Sequence, residues 1–368
     1  MFCFKCENEI TNGTVCDKCG YDNKAGEFFF PLGEIKLTNA LSEFVIEDGV
    51  LLSYEGDAER VAIPVGVTEI GEGVFKERKS IKEVVIPEGV TSIGIDAFFD
   101  CENLKSVIIP NSVMSIGGNA FSYCKSLESV TIPDGVTSIG WMAFGSCDSL
   151  KSVTIPDSVI NVHVEAFSGC KSLTSIDVDE NNAMYSSNEG VLFNKTKTTL
   201  VQYPNGRKSV NYTIPNTVTS IGRSAFFYCE NIKSVIIADS VTRIGSFAFM
   251  ACASLESIII PDSVTSIGWS AFSWCKSLKS VTVPDSVTSI GDHAFLNCDN
   301  LTDVKISEAL LKKSQGAFLD TLYDKIKKEI AKEKQEQFRA MGLCQHCGGQ
   351  FRGLFKKICR ECGEPKDY

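Results

Sequence analysis

Hydrophobic positions return at a fixed interval through most of the chain. A Phe-x-x-Cys pair recurs every 23 residues, at Phe98 and Cys101 and three more times to Cys170, then again from Phe226 and Cys229 to Phe295 and Cys298. Each pair lies in the template V-x-I-P-x-x-V-x-x-I-G-x-x-A-F-x-x-C-x-x-L. A repeat of this size buries its apolar face only against a neighbouring copy, so the period predicts a stacked solenoid.

Within one repeat, alternation of polar and apolar residues predicts a short strand. In the segment Ser152-Val153-Thr154-Ile155, Val153 and Ile155 are expected to face the core. Pro156 is expected to end the strand, because proline has no backbone N–H to donate. Stacking of such strands predicts a parallel ribbon, and the fold class is a β-rich repeat solenoid with 23-residue coils.

The phenylalanine positions divide the chain into segments. Steps of 23 residues connect Phe75 to Phe167 and Phe226 to Phe318, which predicts two arrays of five coils, at 61–178 and 215–318. The insertion at 179–214 contains two apolar runs around a polar turn, which predicts a β-hairpin. Its Glu-Gly-Val-Leu motif also occurs, as Asp-Gly-Val-Leu, in segment 26–60, so we expect that segment to be a linker followed by an N-terminal cap hairpin.

Residues 319–341 are expected to form an amphipathic helix against the end of the second array. Leu322, Ile326, Ile330 and Phe338 are mostly four residues apart among lysines and glutamates. The alternative is a solvated, charged linker.

The 16 cysteines fall into two groups of eight. Those in the repeats are interpreted as free thiols that fill the core, which favours a reducing compartment. The others form two C-x-x-C pairs at each end, the spacing of a structural zinc ribbon whose four thiolates fill the coordination sphere. We therefore expect zinc ribbons at 1–25 and 342–368, with redox-active or disulfide-bonded pairs as alternatives; the ligands would be Cys3, Cys6, Cys16, Cys19, Cys344, Cys347, Cys359 and Cys362.

Charge and composition restrict the partners. The formal net charge of -10 disfavours non-specific binding to nucleic acid or anionic membranes. Neither an apolar leader nor a run of about 18 apolar residues occurs, so we expect a cytoplasmic protein. The C-terminal ribbon has basic residues around two phenylalanines, which leaves nucleic-acid association as an alternative; these residues are Phe351, Arg352, Phe355, Lys356, Lys357, Arg360 and Lys366.

Catalysis is not expected. The three histidines, His163, His293 and His346, lie outside any catalytic motif, and the serines repeat with the coils, so none is singled out as a nucleophile. The sequence also has no G-x-x-x-x-G-K phosphate-binding loop.

Two surfaces are candidates for partner binding. The first consists of aromatic residues that the template does not require, which are candidate anchors or, alternatively, covers for the junctions between coils; they are Tyr123, Trp141, Phe227, Tyr228, Trp269 and Trp274, with Phe247 beside them. The second is the outer face of the strand ribbon. The alternative interpretation is that its β-branched residues occur there only because such residues are favoured in strands. The face is formed by Val85, Ile108, Thr131, Thr154, Ile236, Ile259, Thr282 and Lys305.

The repeat template resembles the leucine-rich repeats of the treponemal surface-antigen, or BspA-like, type over residues 61–318. The resemblance implies a β-rich solenoid that binds other macromolecules, and secreted members of that type act as adhesins. The preferred hypothesis is an intracellular, bacterial-type scaffold that binds a protein partner. Nucleic-acid association and surface adhesion are the alternatives.

Overall fold

The computed structural model describes residues 21–22, 27–28, 41–318, 320–341, 343, 350–352, 358–359 and 361, with side chains at 41–318, 324–341, 343, 350 and 361. The chain winds into a solenoid of eleven coils, which confirms the predicted fold class. We number the coils by residue range: coil 1 (60–82), coil 2 (83–105), coil 3 (106–128), coil 4 (129–151), coil 5 (152–174), coil 6 (175–210), coil 7 (211–233), coil 8 (234–256), coil 9 (257–279), coil 10 (280–302) and coil 11 (from 303).

The strands are short and number two in most coils. Those up to coil 6 are β1 (Tyr21–Asp22), β2 (Glu27–Phe28), β3 (Phe44–Glu47), β4 (Val50–Tyr54), β5 (Arg60–Ala62), β6 (Glu69–Ile70), β7 (Glu83–Val85), β8 (Ser92–Ile93), β9 (Ser106–Ile108), β10 (Ser115–Ile116), β11 (Ser138–Ile139), β12 (Ser152–Ile155), β13 (Asn161–Val162) and β14 (Ser175–Val178). The later ones are β15 (Tyr185–Asn188), β16 (Val191–Asn194), β17 (Thr199–Gln202), β18 (Asn211–Thr213), β19 (Ser220–Ile221), β20 (Ser234–Ile236), β21 (Arg243–Ile244), β22 (Ser257–Ile259), β23 (Ser266–Ile267), β24 (Ser280–Thr282), β25 (Ser289–Ile290), β26 (Asp303–Lys305), β27 (Phe351–Arg352) and β28 (Ile358–Cys359).

These strands stack into two parallel ribbons. Ribbon A contains the predicted strands and is divided into β5-β7-β9, β12-β14 and β18-β20-β22-β24-β26. The first break lies at coil 4, where residues 129–131 do not form a strand, and the second lies where β14 of coil 6 does not pair with β18 of coil 7. Ribbon B comes from the Ser-Ile pair before the repeat glycine and was not predicted. It runs as β13-β11-β10-β8-β6-β4-β3 and as β15-β16-β17-β19-β21-β23-β25. Most coils are therefore held to their neighbours by both ribbons, whereas coil 4 has a strand only in ribbon B.

The core is organised around a column of phenylalanine rings. Neighbouring rings stack with centroids 4.8 to 5.6 Å apart and planes within 13°, from Phe75 to Phe167 and from Phe226 to Phe318. The backbone repeats the same register. Phe98 N–H, for example, donates to Ala120 O of the next coil at 2.7 Å. Stacking and hydrogen bonding thus fix each coil on the next without a shift.

The repeat cysteines have a polar as well as an apolar role. All eight are free and buried, as predicted. Each thiol donates to the carbonyl oxygen of the ladder residue one coil earlier, as Cys147 Sγ does to Phe121 O at 3.1 Å and Cys252 Sγ to Phe226 O at 3.1 Å. Burial raises the pKa of Cys101 to about 12 and that of Cys252 well above its usual range. These two thiols are therefore protonated in the folded chain.

Charged pairs across adjacent coils repeat the 23-residue step. Most of them join exposed side chains, and such a pair contributes little to stability alone. Lys125 lowers the pKa of Glu102 through a hydrogen bond, and Lys233 and Lys279 lower the pKa of Glu256 from both sides. The pairs with this spacing are Lys82–Glu59, the part-buried Arg60–Glu83, Lys79–Glu102, Lys125–Glu102, Lys151–Glu128, Lys171–Asp148, Lys233–Glu256 and Lys279–Glu256.

The inserted segment is a coil of the stack. The sequence predicts ten coils and an insertion, but Tyr203 occupies the ladder position and stacks on Phe226 at 5.0 Å, which makes coil 6 an eleventh coil of 36 residues. Its extra length forms β15 and β16, which pair antiparallel with each other, and β16 also pairs antiparallel with β17. The turn between β15 and β16 has positive φ at Glu189 and Gly190, as the β3–β4 turn has at Asp48 and Gly49. Both are hairpin turns of the primed type.

Strand β16 divides the interior into two cores. Leu192 packs in the first core, whereas Val191 and Phe193 on its other face pack in the second. Two buried amides connect the surrounding segments. Asn182 donates to Pro156 O and Val159 O and accepts from Met184 N and Tyr185 N. Asn205 accepts from Gly169 N of coil 5 and donates to Phe227 O of coil 7.

Two helices follow the last ribbon strand. Helix α1 (Glu308–Lys313) begins after Ser307, whose hydroxyl accepts from Leu310 N, and buries Leu310 and Leu311. Helix α2 (Asp320–Ala340) places Ile326 in the second core and Ile330 against it. Lys334 of α2 pairs with Glu308 of α1 at 3.6 Å. In the described residues, neither helix combines the length and the hydropathy that a membrane crossing requires.

The buried thiols predict a loss of stability in alkali. Because the folded pKa of Cys252 lies above the ordinary thiol value of 9.0, only the unfolded chain ionises as the pH rises past that value. The contribution of the Cys252 thiol to the free energy of unfolding is complete below about pH 9. Above that pH it falls by about 1.4 kcal/mol per pH unit. Urea unfolding from pH 8 to 11 should therefore give a shallower pH slope for Cys252→Ala than for the wild type. Ser254→Ala in the same coil is the control, and equal slopes for both variants would contradict the assignment.

The junction amide predicts a large effect of an isosteric change. Asn182→Asp keeps the acceptor oxygen but removes the donors to Pro156 O and Val159 O and places a carboxylate in a buried site. We expect unfolding free energy to fall by about 3 kcal/mol or more in urea denaturation. Asn181→Asp, at the exposed neighbouring residue, should change it by less than about 0.5 kcal/mol. Similar values for the two variants would contradict the role of the amide.

Candidate interaction surfaces

Each coil turns sharply on either side of its ladder phenylalanine. The backbone is left-handed two residues after the repeat glycine, as at Asn119 and Phe247, and two residues after the phenylalanine, as at Tyr123 and Trp274. Gly169 and Asn297 occupy the second of these positions in other coils, and both are residue types that adopt this conformation readily. The left-handed backbone conformation therefore does not explain why aromatic side chains occur at these turns.

Three of the candidate aromatics contact the adjacent coil. Tyr123 packs edge-on against Phe99 of the preceding coil at 5.4 Å, and Trp269 packs against Phe247 at 4.7 Å and His293 at 5.7 Å. Trp141 donates its indole N–H to Glu165 Oε2 at 3.1 Å. Contact with the adjacent coil therefore accounts for the presence of Tyr123, Trp141 and Trp269 at these turns.

The other three make their aromatic and cation–π contacts within their own coils. Phe227 and Tyr228 pack edge-on at 4.5 Å, and Lys276 Nζ lies 5.2 Å from the Trp274 ring. Tyr228 is 45% exposed and Trp274 is 42% exposed, while Phe227 is half-buried. Tyr228 and Trp274 lie two coils apart at the same turn position, with Ala251 at that position between them. Contacts between coils therefore do not explain these two rings.

Glu165 connects the turn surfaces of the two halves. Its Oε1 accepts from Ser224 Oγ at 2.6 Å and lies 3.9 Å from Arg223 Nε, while its other oxygen accepts from Trp141. Arg223 in turn stacks over the Phe247 ring at 4.8 Å. The sequence singled out the aromatic residues but missed this carboxylate, because its partners are 24 and 59 residues away.

The outer face of ribbon A is polar in some coils and apolar in others. Val85 is 3% exposed, so its predicted place on this face is wrong, and Thr131 lies outside any strand. Ile108, Ile236 and Ile259 are exposed, and Ile259 most of all at 76%. Thr154, Thr282 and Lys305 are also exposed. The predicted apolar character of the face is therefore concentrated at these three isoleucines.

A groove opens in ribbon A between coils 9 and 10. The pairing of β22 with β24 is limited to Ser257 with Ser280, whereas β20 with β22 and β24 with β26 each have three pairs. A cavity of about 570 Å³ lies over this opening. Its lining includes Ile259, Thr282 and Lys305 with the carboxylates of Asp262 and Asp285.

The predicted zinc ligands and the nucleic-acid alternative lie outside this description. Cys3, Cys6, Cys16, Cys19, Cys344, Cys347 and Cys362 are not among the described residues, and Cys359 is described only as part of β28. The predicted basic side chains between Arg352 and Lys366 are likewise not described. Within the described part of the chain, no group of three or more metal-binding side chains is found.

Comparison with known proteins agrees with the repeat architecture. No curated protein matches the chain. Among solved structures, a leucine-rich repeat protein from Eubacterium ventriosum is 29% identical, with a TM-score of 0.62, over 72% of this chain and 82% of the other. The pneumococcal vaccine antigen PcpA is 25% identical, with a TM-score of 0.59, over 68% of this chain and 69% of the other. The family profile described as BspA type Leucine rich repeat region matches residues 51–174 and 202–323, in six copies. The chain therefore belongs to the BspA type leucine-rich repeat family.

Proposed function

We propose that this protein is a non-catalytic binding module whose partner is another protein. Leucine-rich repeat proteins generally mediate protein interactions, and the family and fold are typically non-catalytic. The eleven coils present long, regular surfaces, and their buried residues are almost all apolar. Such a stack supports recognition over an extended face.

Tyr228 and Trp274 are the proposed anchors of the partner. They are exposed, their ring contacts stay within one coil, and both have left-handed backbones, with φ of 59° and 62°. A bulky side chain in this conformation is unfavourable, so selection for packing or backbone geometry does not account for them. Tyrosine and tryptophan are the residue types that most often dominate binding energy at protein interfaces. This combination is the observation that carries the proposal.

The anchor proposal predicts which substitutions abolish partner capture. The variant Tyr228→Asn with Trp274→Asn should lose at least about tenfold of the captured partner in quantitative affinity mass spectrometry. Asparagine occurs naturally at the same turn position as Asn297, so the melting temperature should not fall. Tyr123→Asn, at an equivalent position where the ring contacts the preceding coil, should leave capture unchanged. Equal capture by all three proteins, or equal loss in both variants, would contradict the proposal.

Salt dependence separates this function from nucleic-acid association. Capture through apolar anchors should persist in about 0.5 M salt, whereas phosphate contacts weaken steeply with salt. Material that is released by salt and by nuclease treatment would favour the alternative function instead.

We also propose that the terminal cysteines bind two structural zinc ions in an intracellular protein. The support is the C-x-x-C spacing at each end together with the free thiols of the coils. The alternative is export and surface adhesion, where oxidised pairs are expected.

Metal analysis tests the zinc proposal. Protein purified from its own cells without reductant should contain about two zinc ions per chain by mass spectrometry, and no disulfide. Replacement of Cys344 and Cys347 by serine should reduce the content to about one, while replacement of the buried Cys124 should leave it unchanged. A metal-free protein with disulfide-bonded termini would contradict both the zinc sites and the location.

A further inference from the structure

The groove of ribbon A between coils 9 and 10 combines an apolar floor with an acidic rim. Ile259 is 76% exposed at its centre, and Ile258, Val281 and Val283 form its buried base. The volume of about 570 Å³ is in the range of ligand-binding clefts. Ile259 and the turn surface of Tyr228 and Trp274 belong to different segments of the coil. The groove is thus a second surface, independent of the one proposed above.

The backbone hydrogen bonds of ribbon A are less complete around coil 9. Ile214 N–H donates to Ile236 O at 2.9 Å, and Val283 N–H donates to Lys305 O at 2.8 Å. The equivalent bonds from Ile237 N–H to Ile259 O and from Ile260 N–H to Thr282 O are not formed, and between coils 9 and 10 only Ser257 and Ser280 remain paired. Coil 9 is therefore joined to coil 10 less fully than coil 10 is joined to coil 11.

The charges of the groove define the partner further. Asp262 and Asp285 lie on adjacent coils at the same template position and are exposed. Neither forms an ion pair with any described residue, in contrast to the many cross-coil pairs elsewhere. The formal net charge of -10 also attracts a cationic partner over a longer range.

We propose that this groove binds an extended peptide segment of a partner protein in which lysine or arginine side chains alternate with leucine-like apolar side chains. The apolar side chains cover Ile259, and the cationic ones pair with Asp262 and Asp285. Lys305 at the C-terminal side of the groove remains available to a carboxylate of the same segment.

Two peptides of equal apolar content test the charge requirement. The probes are fluorescein-labelled Leu-Lys-Leu-Lys-Leu and Leu-Glu-Leu-Glu-Leu amides, measured by fluorescence anisotropy with the full chain. The lysine peptide should bind at least about tenfold more tightly, because like charges disfavour the glutamate peptide. Equal affinities, or no binding of the lysine peptide up to about 1 mM, would overturn the proposal.

Matched variants locate the binding. Asp262→Asn with Asp285→Asn should weaken binding of the lysine peptide by about tenfold, and so should Ile259→Thr, which installs the residue of Thr154 and Thr282 at the same template position. Glu88→Gln with Asp157→Asn removes two carboxylates at the same template position from coils 2 and 5, whose ribbon A strands pair fully with the next coil, and should stay within about twofold of the wild type. Equal weakening by both double variants would overturn the proposal. Sedimentation velocity without peptide provides a further test, since a dimer that Ile259→Thr dissociates would identify a second copy as the occupant and overturn it as well.

Discussion

The structure depends on one constraint, the fixed register of each coil on the next. A phenylalanine ring stacks on its equivalent 23 residues away, and the same residue donates its N–H to the alanine carbonyl of the following coil. The cysteine thiol of the next coil then reaches back to the carbonyl of that phenylalanine. A slip of one residue would break all three contacts in every coil. The coils of this chain therefore share nearly the same residues at the core positions, whereas the residues at the turns differ from coil to coil.

Much of the fold could be predicted because its determinants are periodic. Phe98, Cys101 and the glycines recur with the coil, and a period of this kind needs no tertiary information. Ribbon B was missed because Ser-Ile before Gly is too short to show an alternating pattern. The glycine that follows each of these short strands is explained by close packing of the backbones. A Cβ at Gly117 would lie 2.7 Å from the carbonyl carbon of Gly94 in the preceding coil. That contact joins residues of different coils and cannot be seen locally.

The candidate surfaces were predictable as residue types but not as contacts. The sequence identified Trp269 and Trp274 equally, yet one covers a coil junction and the other does not. Their template positions differ by five residues, and only the path of the turn decides which neighbour each ring meets. The groove was not predictable at all. It results from a local opening of ribbon A, whereas the sequence of coils 9 and 10 follows the same template as the others.

The left-handed turn after each ladder phenylalanine has a further consequence. In successive coils that position holds Glu77, Asp100, Tyr123, Ser146, Gly169, Tyr228, Ala251, Trp274 and Asn297. Such diversity is possible because the side chain there leaves the interior, so its replacement does not disturb the stacked rings. The chain can accordingly acquire a new specificity by exchanging single residues along an unchanged frame, and can alter the spacing between two contact points simply by duplicating or deleting a coil.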